Sequence, residues 1–273
     1  MNNTFNIQRF GLLLKRQWLE FGKIYLVSLL VALGVIITFY AMALWGNFFN
    51  DRPFFDNALN FREPLFLIFG FIFISIIASN YFAHLGQKPK AIIDLLIPAS
   101  TFEKFLTGVF FTSILAIVSF VFLFYITDLL FVSKLRDMYA GGENVTHYIN
   151  NGKEIPTLTY LNYFFTKNSG DDKFLPLYFL PFFVTSVFLL GSIYFNKFHY
   201  IKTAISVMIF SGISFFILFK SGEWLFDGKI MVDQENRNHM SQNTAEWLGV
   251  LLIVALTAIF WSITYVRLKE KEV

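Results

Sequence analysis

Six stretches of the sequence are each apolar for long enough to cross a lipid bilayer as a helix, and they constrain the fold more than any other feature. A spanning helix needs about 20 mostly apolar residues, because every backbone polar group inside the hydrocarbon must be satisfied within the helix. The sequence therefore predicts an all-α polytopic membrane protein whose residues 1–273 form a single transmembrane domain. The predicted spans are residues 24–45, 65–85, 105–127, 174–195, 203–219 and 247–266.

Composition supports this interpretation. Hydrophobic residues make up 56% of the chain and charged residues only 15%, whereas charged residues are about a quarter of a soluble domain. The chain contains no cysteine, which excludes a disulfide framework, a thiolate nucleophile and a cysteine metal site.

The distribution of basic residues predicts which side of the membrane each connecting segment occupies. Segments 1–23, 86–104, 196–202 and 267–273 together hold 12 Lys and Arg and 5 acidic residues in 56 positions. The alternate segments hold 10 Lys and Arg and 14 acidic residues in 92 positions. Because cytoplasmic loops are enriched in Lys and Arg, we expect both termini on the cytoplasmic side.

The residues before the first span predict an amphipathic helix over 5–21 that lies in the inner headgroup region. Arg9, Lys15 and Arg16 fall away from its apolar stripe. This helix either only anchors and orients the first span or also docks another protein, and the sequence leaves both possibilities open. The apolar stripe consists of Ile7, Phe10, Leu14, Trp18 and Phe21.

The segment between spans two and three, QKPKAIIDLLIPASTFEKFL, is more elaborate than a simple return loop. Pro89 and Pro98 break the chain on either side of a short amphipathic helix predicted over 91–97. Ser100 and Glu103 match the S-x-x-E capping box that starts a helix. The apolar side chains of this short helix must be buried against the membrane, the chain itself or a partner. They are Ile92, Ile93, Leu95, Leu96 and Ile97.

The predicted spans carry no Lys, Arg, Asp or Glu in their interior. Asp128 is expected at the hydrated outer end of span three. Proton and sodium pathways normally contain buried ionisable groups, so this pattern argues against ion-coupled transport.

Catalytic and cofactor motifs are missing from the sequence as well. The three Gly-Lys pairs are followed by Ile, Glu and Ile, and none completes an ATP-binding P-loop. The four histidines lack metal-ligand spacing. We therefore expect no enzyme activity, cofactor or metal in this chain.

The long outer segment 129–173 contains Gly-Gly, Asn-Asn-Gly and Ser-Gly turn signals. They predict a small hairpin or short helices at the outer mouth.

The whole layout resembles the permease subunits of type-2 ABC exporters. The most specific residues are Leu96-Ile97-Pro98-Ala99-Ser100 with Glu103 and Lys104, and the opening FNIQRFGLLLKRQWLEFGKIYL is similar to small permease-like proteins of Bacteroidetes. The resemblance implies a homodimer or heterodimer of permeases whose interface forms the pathway, driven by ATP-binding cassette ATPase subunits in trans. The outer segment between spans three and four is longer than the family pattern.

Carried onto this sequence, the resemblance implies a coupling element at 91–104 and a connecting helix at 5–21. The residues expected to contact the ATPase are Ile92, Ile93, Asp94, Leu95, Leu96, Ile97, Pro98, Ser100, Glu103 and Lys104. The expected connecting-helix residues are Phe10, Leu14, Arg16 and Trp18.

The resulting hypothesis is a multi-pass permease subunit of an exporter in the bacterial cytoplasmic membrane, in contact with lipid and not with nucleic acid. The alternative is a membrane sensor or assembly scaffold without transport activity.

Overall fold

The computed structural model describes residues 5–49, 59–86, 92, 94, 96–140, 147–150, 153–156, 161–165, 175–226 and 239–271. Seven α-helices are present in these ranges. They are α1 (Ile7–Phe49), α2 (Arg62–Tyr81), α3 (Thr101–Val109), α4 (Ala116–Ala140), α5 (Leu180–Tyr194), α6 (His199–Phe226) and α7 (His239–Lys271). A π-helical turn, Phe110–Leu115, joins α3 to α4, and 3₁₀ turns occupy Ala83–Gly86 and Leu175–Tyr178.

Within the described ranges, five helical stretches are long and apolar enough to cross a membrane. They are Ile7–Phe49, Arg62–Tyr81, Thr101–Tyr139, His199–Ser221 and Glu246–Lys271. The predicted fourth span corresponds to α5, which has 15 residues and is apolar but shorter than the others. The prediction of an all-α polytopic membrane protein is confirmed at this level.

Helix α1 differs from the expectation of two separate elements. The predicted interfacial helix and the first predicted span form one continuous helix of 43 residues, about 65 Å long at 1.5 Å per residue. No proline falls within it, and its residues after Phe10 include many good helix formers such as Leu and Lys.

The predicted apolar stripe of this helix coincides only in part with the face that is buried in the structure. Ile7 is 76% exposed, whereas Leu13 and Phe21 are buried. Helical spacing identifies which residues share a face of the helix. It does not indicate which face is covered by neighbouring side chains.

Segment 129–173, which the sequence predicts on the outer side, begins as a continuation of α4, which reaches Ala140. It then forms an antiparallel hairpin of β1 (His147–Asn150) and β2 (Lys153–Pro156), in which Asn150 pairs with Lys153. Of the two predicted possibilities, a small hairpin is therefore present, and it adds two short strands to the otherwise helical chain.

The chain divides into two units. Unit 1 contains residues 1–16, 74–113 and 174–273. In it, α5 packs against both α6 and α7, and α3 packs against α7. A Cβ atom added to Gly191 of α5 would overlap the side chain of Thr203 of α6, so this glycine permits the close approach of the two helices. The hydroxyls of Ser113 and Thr185 form a further contact, at 2.8 Å.

Unit 2 contains residues 17–73 and 114–173. Its core is aromatic. The ring of Tyr40, which is fully buried, has Phe61, Phe124 and Phe131 around it at centroid distances of 5.1 to 6.0 Å. Tilted and edge-to-face rings of this kind add to the stabilisation that burial alone provides.

Asp128 is a correction to the sequence analysis, because it is 1% exposed and not hydrated. Its Oδ1 accepts hydrogen bonds from the Tyr40 hydroxyl and from Nη1 of Arg62, each at 2.9 Å. Its Oδ2 accepts the backbone N–H of Phe164 at 2.7 Å. Nη1 of Arg62 also donates to the carbonyl of Asn162. A buried charge is tolerable when it is paired and its hydrogen bonds are satisfied, and both conditions hold here.

The ion pair therefore joins three parts of unit 2: the start of α2, the middle of α4 and residues 161–165. The interpretation that Asp128 is a solvated helix end failed because its partners lie 66 and 88 residues away in the sequence. Spacing along one helix cannot register such contacts.

We predict that Asp128→Asn lowers the free energy of unfolding by about 3 to 5 kcal/mol, because it leaves the Arg62 guanidinium buried without a counter-charge. Thermal unfolding in detergent measures the loss. The matched control is Asp137→Asn, an exposed carboxylate on the same helix, which should change stability by less than about 0.5 kcal/mol. Equal destabilisation by the two variants would contradict the assignment.

Candidate functional site

The predicted capping box at the start of α3 is confirmed. Ser100 is the N-cap residue in extended conformation, with φ −72° and ψ 150°. Its hydroxyl accepts the N–H of Glu103 at 3.2 Å, and Oε2 of Glu103 accepts the N–H of Ser100 at 2.9 Å. These bonds satisfy two backbone donors that a helix start otherwise leaves unpaired. The residues S-T-F-E therefore fix where α3 begins.

Glu103 also binds the start of α1. Nε of Arg9 lies 3.1 and 3.0 Å from the two carboxylate oxygens, and Nη2 lies 2.8 Å from Oε1. The N–H of Asn6 donates to the same Oε1 at 2.9 Å. The Glu103 side chain is fully buried, whereas that of Arg9 is 31% exposed. The carboxylate is thus satisfied by a forked arginine and by two backbone donors, an arrangement that stabilises a buried negative charge.

This carboxylate lies at the first turns of two helices. Asn6 caps α1, since its Oδ1 accepts the N–H of Gln8 at 2.9 Å, and Ser100 caps α3. The N-terminal ends of both helices carry partial positive charge. Glu103 therefore fastens the start of α1 to the start of α3 within unit 1.

Lys104 holds the residues that precede Pro98. Its Nζ donates to the carbonyl of Asp94 at 2.8 Å and lies 3.8 Å from Oδ2 of the same residue. The Lys104 side chain is 7% exposed. The upstream residues are therefore tied to α3 by a second charged contact beside the Glu103 contact.

The short helix predicted over 91–97 is seen in part. Ile92 and Asp94 are helical, and a turn follows at Leu96 and Ile97 before Pro98. The N–H of Leu96 donates to the carbonyl of Ile92, and that of Ile97 to the carbonyl of Asp94. The predicted contacts Ile93 and Leu95 lie outside the described residues.

Among the described residues of this segment, three are exposed, and we call them the apolar patch: Ile92, Leu96 and Pro98. Ile92 is 58% exposed and Leu96 is 77% exposed. Ile97 is half-buried. The apolar patch lies directly beside the side chains that anchor the segment to α3, so exposed and anchored positions alternate within a few residues.

The eight described residues among the ten predicted to contact a partner therefore differ in burial. Ser100, Glu103 and Lys104 are buried and bonded within the chain, so they position the segment and present little side-chain surface. Asp94 is half-buried and receives Lys104.

The predicted connecting-helix residues are more accessible. Phe10, Leu14 and Arg16 are half-buried and Trp18 is 42% exposed. The ring of Phe10 lies 5.8 Å from that of Phe5, and the ring of Phe5 lies 6.2 Å from that of Phe102. Phe5, which precedes α1, thus adds an aromatic contact between the start of α1 and α3 to the contacts of Glu103.

Sequence reasoning missed Arg9 and Asn6 as partners of Glu103. Asn is one of the residues favoured at an N-cap, so Asn6 is a local signal that α1 begins just after it. The ion pair itself spans 94 residues, and no local pattern indicates it.

Among the described residues, no group of three His, Cys, Asp or Glu side chains could hold a metal ion. Comparison of the chain with family models, curated proteins and solved structures gave no match.

We predict that Glu103→Ala lowers the free energy of unfolding by about 2 kcal/mol, because it removes a helix cap and the charged hydrogen bonds of Arg9. Arg9 is partly exposed and can be hydrated in the variant, which limits the loss. The comparison is Glu270→Ala, which breaks the exposed Arg267–Glu270 pair of 2.7 Å and should cost less than about 0.5 kcal/mol. Thermal unfolding in detergent checks both, and similar shifts would contradict an anchoring role of Glu103.

Proposed function

We propose that this chain is the permease subunit of an ATP-driven exporter in a bacterial cytoplasmic membrane. In this proposal a separate ATPase pushes on the apolar patch. The observation that carries the proposal is the combination of exposed Ile92 and Leu96 with buried, charged anchors at Glu103 and Lys104. A segment built only to connect two helices needs neither the exposed apolar side chains nor the anchors.

The anchors give the segment the stiffness that coupling requires. A force applied at Leu96 reaches α3 through Lys104 and through the turn before Ser100. It also reaches the start of α1, because Glu103 binds Arg9 and Asn6. The patch, α3 and the first turns of α1 therefore move together.

The apolar patch has the chemistry of a docking contact. Burying an exposed Leu or Ile side chain contributes about 1.5 to 3 kcal/mol when burial is complete. Ile92, Leu96 and Pro98 offer this gain to a hydrophobic groove on a partner, and charged side chains beside them are already engaged within the chain. The affinity of such a contact comes from apolar burial.

We assign the binding and hydrolysis of ATP to a separate subunit, because this sequence lacks a P-loop. Two permease subunits, either two copies of this chain or this chain and a related one, form the substrate pathway at their interface. The resemblance of the sequence layout to the permease subunits of type-2 ABC exporters supports this part of the proposal. The resemblance does not identify a substrate.

The proposed topology has six spans, with α5 as the fourth. Leu180–Tyr194 alone covers about 22 Å, less than the hydrocarbon thickness of about 30 Å. The preceding 3₁₀ turn, Leu175–Tyr178, extends it to 20 residues. Six spans place both termini on the same side of the membrane, and the excess of Lys and Arg in the segments on that side assigns it to the cytoplasm.

We predict that Leu96→Asp weakens binding of the ATPase subunit about a hundredfold or more, because it replaces apolar burial with a charge that the groove must desolvate. The measurement is the affinity between purified permease and a P-loop ATPase encoded beside its gene, together with the rate of ATP hydrolysis of the complex. Ile92→Asp should act in the same direction.

The matched control is Leu177→Asp, which changes an apolar residue that is 45% exposed outside the segment, and it should leave the affinity unchanged. If the affinity of the complex and its rate of ATP hydrolysis are the same with and without Leu96→Asp, the coupling role is refuted. A complex of this kind would instead favour the sensor or scaffold alternative.

The topology is tested by single-cysteine labelling, since the native chain has no cysteine. We predict that a membrane-impermeant maleimide labels Lys134→Cys in intact cells and labels Lys197→Cys only after permeabilisation. Both lysines are exposed in the structure, so accessibility within the protein does not decide the result. The reverse pattern would contradict the proposed orientation.

A further inference from the structure

Five basic side chains gather at one end of α5, α6 and α7 in unit 1. One lies in the link between α5 and α6, one lies in the first turn of α6, and three lie at the end of α7. We call them the basic end cluster: Lys197, Lys202, Arg267, Lys269 and Lys271.

Three of these side chains contact the last two residues of α5 or Phe195, which follows them. Nζ of Lys271 donates to the carbonyl of Ile193 at 2.6 Å. The guanidinium of Arg267 lies 5.6 Å from the ring centre of Tyr194, and Nζ of Lys202 lies 5.7 Å from that of Phe195. The final carbonyls of a helix carry partial negative charge and attract cations. The end of α5 therefore collects cations from both neighbouring helices.

The cluster has a large excess of positive charge. Residues 193–203 and 265–273 contain two acidic side chains, Glu270, which pairs with Arg267 at 2.7 Å, and Glu272. Five basic and two acidic side chains leave a formal excess of three positive charges. Lys197, Lys202 and Lys269 are exposed, so this charge is open to a ligand.

Exposed apolar side chains lie beside the cations. Tyr194 is 59% exposed, Phe198 is 70% exposed and Ile201 is 55% exposed. Phe198 has φ 56°, a left-handed conformation that is costly for a bulky side chain. Strain of this kind persists where the surroundings over-determine it and often marks a functional position. Here it presents an aromatic ring at the same end as the basic residues.

We propose that the basic end cluster binds the headgroups of anionic phospholipids. Its cations lie at the ends of helices that are apolar enough to cross a membrane. A ligand that contacts both the cations and the apolar side chains beside them needs a negative phosphate to pair with the cations. It also needs acyl chains to pack against Ile201 and the apolar residues of α6 that follow it. An anionic phospholipid satisfies both conditions, and clusters of Lys and Arg next to a spanning helix attract such lipids. The proposal is independent of any ATPase.

The experiment uses the full chain in a neutral detergent, with phosphatidylglycerol and phosphatidylcholine of identical acyl chains as probes. Lipid bound to the protein is measured by native mass spectrometry across a titration. The native chain should prefer phosphatidylglycerol by about a hundredfold or more, since each basic residue contributes about fivefold. The variant Lys197→Gln/Lys202→Gln/Lys269→Gln retains the Lys271 and Arg267 contacts to α5. It should lose about fivefold in phosphatidylglycerol affinity for each charge removed, and its affinity for phosphatidylcholine should not change.

The matched control, Lys15→Gln/Lys23→Gln/Lys134→Gln, removes three other exposed lysines and should keep the preference. Equal loss in the control would overturn the proposal, because net charge alone would then explain the binding. Displacement of the lipid by an equal concentration of glycerol 3-phosphate would also overturn it, since a free phosphate would then suffice. If the triple variant fails to fold, Lys197→Gln alone should show a loss of about fivefold, and an unchanged affinity would refute the site.

Discussion

The buried carboxylate of Glu103 is the interaction on which the candidate site depends. It closes the capping box with Ser100 and accepts the forked guanidinium of Arg9 and the N–H of Asn6. Each contact is short-range, but together they define where α3 begins and where α1 is held. Because the carboxylate is fully buried, none of these partners can be lost without leaving a charge or a backbone donor poorly satisfied. Lys104, the next residue of α3, holds Asp94, so the exposed Ile92 and Leu96 are tied to the same helix start that Glu103 fixes.

The sequence predicts the helices well and their environment poorly. Apolar runs identify the membrane-crossing stretches because bilayer thickness and internal hydrogen bonding leave few alternatives. The start of α3 follows from Ser100 and Glu103, which act over three residues. Asp128 illustrates the opposite case, since its partners Tyr40 and Arg62 come from distant parts of the chain. A hydropathy pattern records that a charge is near the end of an apolar run, but not that another helix neutralises it.

In the candidate site, too, the sequence predicts the segment correctly but not which of its side chains are buried. The predicted apolar segment includes Ile92 and Leu96, which are exposed as a docking surface requires. The same prediction included Ser100, Glu103 and Lys104, whose side chains face inward. Sequence spacing placed all of them on one segment, and only the contacts of Glu103 with Arg9 and of Lys104 with Asp94 distinguish anchors from surface. The continuous α1 adds to this lesson, because nothing in its composition forces the helix to break after Phe21.

The close approach of α5 and α6 at Gly191 has a mechanical consequence. The Thr203 side chain occupies the space that a Cβ on Gly191 would need, and its hydroxyl is bonded to the carbonyl of His199 in its own helix. Sliding or rolling one helix along the other would drive Thr203 into the backbone of α5. The contact therefore opposes relative motion of the two helices, and we expect a rearrangement of unit 1 to move α5 and α6 together.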